Sequence, residues 1–483
     1  MQQEELVKRF HPNPVNNLYR NAVNGRLSRR EVMKRGTALG LSSALMGTML
    51  RAESIGAQAT PESGQPLGYT IPDAETLQSE LQLSTDFAGT QLNIVLGADG
   101  PNSPYEQALV DRFNEITGME ATYVRGSSQA TDRLSLYLQT MAAQSPDIDA
   151  AEIDVIWPGI MAAHSVDLSD ILQEGHFDRI VQNNTVNDVL VGVPYYTDAG
   201  LLYSRTDLLE EYGFDGPPET WDQLEEYAMT ITEGEIADTP EFTGFVWQGN
   251  AYEGLTCNAL EWQVSQGGGE IIDPDSGEVT VNNENAIAAF TRAAGWVGGI
   301  SPAAVTGYTE EDSRAPWQGG AAAFMRNWPY AYTLGQDEGS VIQDLFSVGQ
   351  LPSSEGEDSA ACLGGWQMFV SAYSENPEAA TEWARYASSV PIQRSRAIEV
   401  AALPTYGELY TDPDVLAAQP YYEQLFPVFS EASVPRPSTV SADFYNDVSI
   451  AYFTAVSQIL GGGDAASIVE DLQADLEDIM SEV

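Results

Sequence analysis

VGVPYYTDAGLLYSR, residues 191–205, reads as an extended segment through Pro194 that continues into the alternating run Ala199 to Tyr203. Two adjacent rings, Tyr195 and Tyr196, and one acid, Asp198, lie at its middle. Strand-like halves on either side of binding-type side chains are what a chain needs where it first passes from one lobe to another across a cleft. Successive residues of extended chain point to opposite sides, so the two tyrosines face opposite ways.

Upstream of that passage the pattern alternates strand and helix. Gln91–Gly97 is an apolar strand, Pro104–Thr117 a helix with Tyr105, Leu109, Val110 and Phe113 on one face, and Met119–Val124 a second strand. Thr131–Ala143 is a helix, and Glu152–Trp157 a third strand ending at Pro158-Gly159. This order predicts a doubly wound α/β sheet. Ligands of such sheets sit at the carboxyl ends of the strands, which draws attention to loop 98–103, Arg133 and Asp154. An acid inside an apolar strand is costly unless partnered, so Asp154 calls for an arginine or a ligand.

Downstream, helices are expected at Glu219–Thr232, Tyr252–Gln266, Asn285–Val297 and Pro377–Ser389, and strands at Gly244–Trp247, Ala321–Asn327, Leu345–Leu351 and Cys362–Val370. Ala402-Leu403-Pro404 reads as a third crossing, and the chain ends in two helices, Tyr445–Leu460 and Ala465–Met480. A length of 483 residues suits two lobes and a leader better than one core.

Charge narrows the partners. The chain carries a net charge of −50. It has no lysine after Lys34, and from Thr60 onward 12 arginines face 67 acids. Such a surface repels nucleic acid and anionic lipid. Self-repulsion of that size is relieved where salt shortens the Debye length, roughly 3 Å at 1 M, so a hypersaline setting is expected. Ser28-Arg29-Arg30-Glu31-Val32-Met33-Lys34, followed by the apolar Thr37–Leu50 and the small-residue site Ala57-Gln58-Ala59, resembles a twin-arginine export signal. Residues 1–59 are therefore expected to be a signal segment and 60–86 a polar tether, leaving an exported chain, extracellular or at the cell surface. Outside the cell Cys257 and Cys362 could pair or stay as two buried thiols, and sequence leaves both open.

Six segments together resemble the extracellular solute-binding proteins of ABC transporters, in the sugar-binding branch with trehalose- and maltose-binding members. They are PYYTDAGLLYSR (194–205), PETWDQLEEYA (218–228), WQGNAYEGLTCNALEW (247–262), AAFMRNWPYAY (322–332), LGGWQMFVS (363–371) and RPSTV (436–440). The resemblance implies a two-lobe periplasmic-binding-protein-like α/β fold of type II with three hinge crossings. One lobe would take 87–196 with 360–398, the other 200–352 with 402–483. It implies ligand-binding roles for Arg133, Asp154, Tyr196, Asp198, Tyr252, Trp328, Gly365, Trp366 and Arg436. It also implies a monomer that delivers a sugar, such as trehalose or maltose, to ABC permease subunits by hinge closure, without catalysis or cofactor. One departure is that some relatives carry a sugar-binding acid in the first loop, whereas here that loop is Asp99-Gly100-Pro101-Asn102-Ser103-Pro104, with Glu106 slightly later.

The chemistry of these residue types agrees. A pyranose has apolar C–H faces and a hydroxyl rim, so its site needs flat rings for the faces and charged hydrogen-bonding groups for the rim. Each residue also has a plainer role open to it: Trp328 as core packing, Tyr252 as a helix cap, Asp198 as a turn former, Arg133 paired on the surface with Asp132. Two other functions compete, a secreted glycoside hydrolase using Asp154 and Asp198, and a binder of anionic or zwitterionic osmolytes through Arg133 and Arg436. A metal cluster or Ser-His-Asp triad is not expected, because His164 and His176 are isolated, and a phosphate loop needs a lysine, of which there is none after Lys34.

Overall fold

The computed structural model describes residues 69–97, 102–127, 130–274, 276–337 and 339–483. The arginine motif, the leader and residues 98–101 of the first loop lie outside them.

The strands are β1 (Gln91–Leu96), β2 (Glu120–Arg125), β3 (Ala150–Asp154), β4 (Thr185–Val186), β5 (Val189–Leu190), β6 (Gly192–Ala199), β7 (Leu201–Arg205), β8 (Thr243–Val246), β9 (Ala322–Asn327), β10 (Phe346–Gly349), β11 (Ala361–Val370) and β12 (Ser433–Val434). β4 and β5 form a small hairpin; the others build two sheets. In the first, the order is β12-β11-β3-β1-β2, with β6 also paired to β11. β1 runs parallel to β2 and β3, the doubly wound arrangement expected of the amino-terminal third. β1 buries one face along its length and the other only at its end: Leu92, Ile94 and Leu96 pack towards Leu109, Phe113 and Trp383, Val95 packs towards Tyr137, Ile153 and Trp157, and Gln91 and Asn93 are exposed. That is why its apolar run is confined to its last three residues. The second sheet has the order β10-β7-β9-β8 and rests on a layer that includes Trp221, Trp247, Trp262 and Trp296.

The chain passes between the sheets at Gly200, where β6 ends and β7 begins. It returns between β10 and β11, and crosses again near Leu403, whose carbonyl accepts from Thr197 N at 2.9 Å. Gly200 is required by packing: a Cβ there would collide with the carboxylate of Glu261 and the guanidinium of Arg326.

Local chemistry sets several boundaries. The helix Trp221–Glu235 begins two residues later than expected because Thr220 and Gln223 form a capping box, Gln223 N donating to Thr220 Oγ1 at 3.2 Å and Thr220 N to Gln223 Oε1 at 3.3 Å. β3 ends at Asp154 rather than Trp157, because the Asp154 carboxylate accepts from Ile156 N at 3.2 Å and turns the chain. The acid therefore closes the strand instead of interrupting it. The segment expected to be a polar tether is corrected over its described part. Residues 74–81 form a helix capped by Asp73, which buries Leu77, while Leu83 is buried beyond it and Tyr69 meets Tyr105 edge-on at 5.5 Å.

Candidate functional site

The ends of β3, β6 and β11 in the first sheet face the amino-terminal turn of the helix Glu253–Ser265 and the segment after β9. A cavity of about 310 Å³ lies between them, within the 300–1,000 Å³ typical of small-molecule sites. From the first side come Asp154, Asp198, Gly364, Gly365 and Trp366; from the other Tyr252, Glu253, Gly254, Cys257, Glu310, Trp328 and Tyr330; and Arg436 closes it. Seven of the nine residues named from sequence are thus brought together. The register explains the first group: on β11, Trp366 lies opposite Asp154 on one side and Tyr196 on the other, and Gly364 opposite Asp198. Gly365 sits at φ +109, and a Cβ there would be 2.5 Å from the Tyr196 carbonyl oxygen, so only glycine fits that bulge beside the cavity.

Arg133 and Tyr196 do not line the cavity. Arg133 is 1 % exposed and lies behind it, its guanidinium 4.0 Å from the centre of the Trp366 ring and its Nη1 3.2 Å from Glu152 Oε1. Tyr196 is buried, with its hydroxyl 3.4 Å from the same carboxylate. Both lie beneath the lining, Arg133 against the Trp366 ring and Tyr196 against Glu152. Trp328 is supported in the same way. The Arg326 guanidinium lies 4.3 Å from its ring centre and is held by a fork to Glu261, with Nε to Oε2 at 2.9 Å. Each cavity tryptophan thus rests on a buried arginine that is itself fixed by a buried glutamate. Trp157 meets Trp366 edge-on at 5.8 Å.

Four carboxylates face the cavity. Burial pushes the Asp198 carboxyl up to about 7, and the nearby Asp154 charge adds to this. Asp154 is also raised by burial, against which Arg436 acts. Behind them, burial brings Glu152 to about 7, with Arg133 opposing it. Glu253 accepts from Arg436 Nη1 at 2.7 Å, from Ser449 at 2.6 Å and from Tyr445. Glu310 opens the helix Glu310–Gln318, which Thr309 and Asp312 cap, and it accepts from Trp328 Nε1 at 3.4 Å. Arg436, fixed between Pro435 and Pro437, is paired with Glu253 and donates to the Leu363 carbonyl at 3.2 Å. The lining is therefore acid-rich and acceptor-rich, and its one cation is already partnered.

Glu253, Glu310 and Tyr330 were not singled out from sequence. Glu253 directly follows Tyr252 in a quoted segment, and the pattern Thr309-Glu-Glu-Asp312 is a capping-box signal that could have located the helix holding Glu310.

A mixed α/β chain crossing three times between two sheets, with its cavity at the strand ends, is a two-lobe binding protein of type II. Residues 97–394 match the bacterial extracellular solute-binding protein family, and the chain belongs to it. Its relatives include a probable ABC transporter-binding protein of Deinococcus radiodurans, 47 % identical over 354 residues, covering 72 % of this chain and 84 % of that one. Among solved structures, maltose-bound MalE3 of T. maritima superposes with a TM-score of 0.72 at 34 % identity, covering 80 % of this chain and 99 % of that one. The GacH receptor of Streptomyces glaucescens, at 19 % identity and a TM-score of 0.69 over 82 % of this chain and 99 % of its own, shares the fold. Members of this family are ABC transporter binding proteins and not enzymes, which removes the hydrolase reading of Asp154 and Asp198. Among the described residues no helix is long and apolar enough to cross a membrane.

Proposed function

We propose that the protein captures an uncharged carbohydrate outside the membrane, in the class of disaccharide α-glucosides such as trehalose or maltose, and presents it to an ABC importer. The observation that carries this is the lining itself: Trp328, Trp366 and Tyr252 offer ring faces, and Asp154, Asp198, Glu253 and Glu310 offer acceptors for a hydroxyl rim. The maltose bound to the T. maritima relative is of this class. The acid-rich lining works against the osmolyte alternative, because Arg133 is buried behind Trp366 and Arg436 is paired with Glu253. A ligand touching both halves favours closure by its differential affinity for the closed state. We keep the lobe boundaries named from sequence as part of this proposal, with β12, inside 402–483, reaching across to pair with β11 of the first sheet, and the −50 charge leads us to a saline setting.

Titration with trehalose, maltose and sucrose in molar salt, read by tryptophan fluorescence, is expected to saturate with at least one of them, and mass spectrometry should recover that sugar intact. No response to any carbohydrate would overturn the proposal.

Asp198 adds a pH dependence. Its folded pKa of about 7 lies above the ordinary 3.8, so the protonated form is favoured in the empty protein. Its contribution to stability is full below 3.8 and is lost as pH rises through 7. A sugar hydroxyl donating to the carboxylate favours the ionised form instead. Affinity is therefore expected to rise between pH 5 and 7, by at most about tenfold per unit, and to flatten above. Asp198→Asn should bind more weakly and lose this slope, while exceeding the wild type in stability at pH 8. Calorimetric titration across that range checks both.

A further inference from the structure

Two buried thiols lie on neighbouring elements beside the cavity. Cys257 lies in the first turns of the helix Glu253–Ser265 and lines the cavity, while Cys362 lies at the start of β11. Both are free and buried, and both belong to one packed cluster. The backbone fixes the approach independently. One turn along the same helix face, Glu261 Oε1 accepts from Cys362 N at 3.0 Å, so the face bearing Cys257 is held against the strand bearing Cys362. The Cys362 carbonyl accepts from Gly200 N at 3.3 Å, where the chain first passes between the sheets. Cys362 thus belongs to the crossing strand, and Cys257 to the helix whose first turn forms a wall of the cavity.

We infer that Cys257 and Cys362 are a modification site: in the exported protein they join as a disulfide that staples the cavity helix to the crossing strand. Export places the pair where disulfides persist. The oxidant is a low-molecular-weight disulfide. The thiolate of one cysteine attacks it and displaces one small thiolate; the second cysteine then attacks the mixed disulfide and displaces the other. Two electrons pass to the small disulfide, and the two protons lost by the cysteines end on the two released thiols. The neighbouring Cys362 thiol and burial hold the Cys257 thiol well above its usual range, and Arg436 acts against them, so the exchange is faster as pH rises. Cys257, through its place in the cavity lining, is the sulfur reached first.

The test uses the folded full chain in molar salt, incubated with oxidised glutathione, then quenched by alkylation in denaturant with and without reductant. The expected result is loss of both alkylatable thiols together, a cross-linked peptide pair containing Cys257 and Cys362, and no retained glutathione. The thermal midpoint should rise by about 5 °C, because the bond closes a loop of about a hundred residues, and reductant should reverse the rise. Cys362→Ser should instead retain one glutathione on Cys257, a readout that a merely packed pair of thiols would not give. Should that variant not fold, the cross-linked peptide from the wild type decides alone. Two thiols that remain alkylatable, a stable single adduct on the wild type, or a cross-link formed only after unfolding would overturn the inference.

Discussion

Arg326→Met is expected to destabilise the protein by about 3–5 kcal/mol, because it leaves the Glu261 charge buried without its partner. Both side chains are 1 % exposed, and the guanidinium makes a forked pair with Glu261 while donating to Gln248 Oε1 at 3.0 Å. Glu261 would keep only the donation from Cys362 N, which cannot replace a full positive charge. Lysine should not rescue the site, since a point charge cannot reproduce the fork. The double variant Arg326→Met, Glu261→Leu removes both charges and should recover most of the loss, because a buried pair replaced by apolar residues of similar volume is often neutral. Urea unfolding at fixed salt measures each. A single-variant loss below about 1 kcal/mol would show that the pair is solvated in solution and contributes as a surface bridge does.

The placement of the cations gives this prediction a wider basis. From Thr60 onward the chain has 12 arginines, five of them buried; Arg205 pairs with Asp207, and the other four, Arg133, Arg326, Arg396 and Arg436, each rest on a glutamate. Three lie under or beside the cavity. The fourth, Arg396, pairs with Glu106 at 2.6 Å and lies 4.0 Å from the centre of the Tyr195 ring, on the side of β6 turned away from the cavity. A chain with so few cations that still buries these four holds them for positioning, since their charge would otherwise relieve surface repulsion.

This arrangement also explains what could and could not be read from sequence. Strands β3, β6 and β11 were legible because burial on both faces writes an apolar run into the chain, and the passage at 191–205 because extended chain on both sides of an acid has few other uses. Asp154, Asp198, Trp328 and Trp366 were legible as candidates because their local settings are unusual. The place of Arg133 behind Trp366 was not, since its partners Glu152 and Trp366 are distant in sequence and no local pattern shows that a ring lies between a guanidinium and the cavity. The burial of Tyr196 against Glu152 was hidden for the same reason. The helix Ala74–Leu81 was missed because it buries one side chain, Leu77, which is too little to set a period against polar neighbours.

The other large effect is expected at the two tryptophans. Rings that pack a ligand in a desolvated pocket dominate affinity, and truncating one to alanine commonly costs 2 kcal/mol or more. Trp366→Ala and Trp328→Ala should therefore each weaken carbohydrate binding by at least about 30-fold, and the double variant should show no measurable binding. The supporting arginines allow a sharper test than truncation alone. If Arg133 acts by holding the Trp366 ring and not by touching ligand, Arg133→Met should weaken binding less than Trp366→Ala, and should weaken it hardly further in the Trp366→Ala background. An arginine that donated directly to a sugar hydroxyl would lose its own increment in both backgrounds, so the double-mutant cycle separates the two roles. Calorimetry on variants whose circular dichroism matches the wild type gives the four affinities. Independent increments would return Arg133 to the ligand and remove the idea that each ring is held from below.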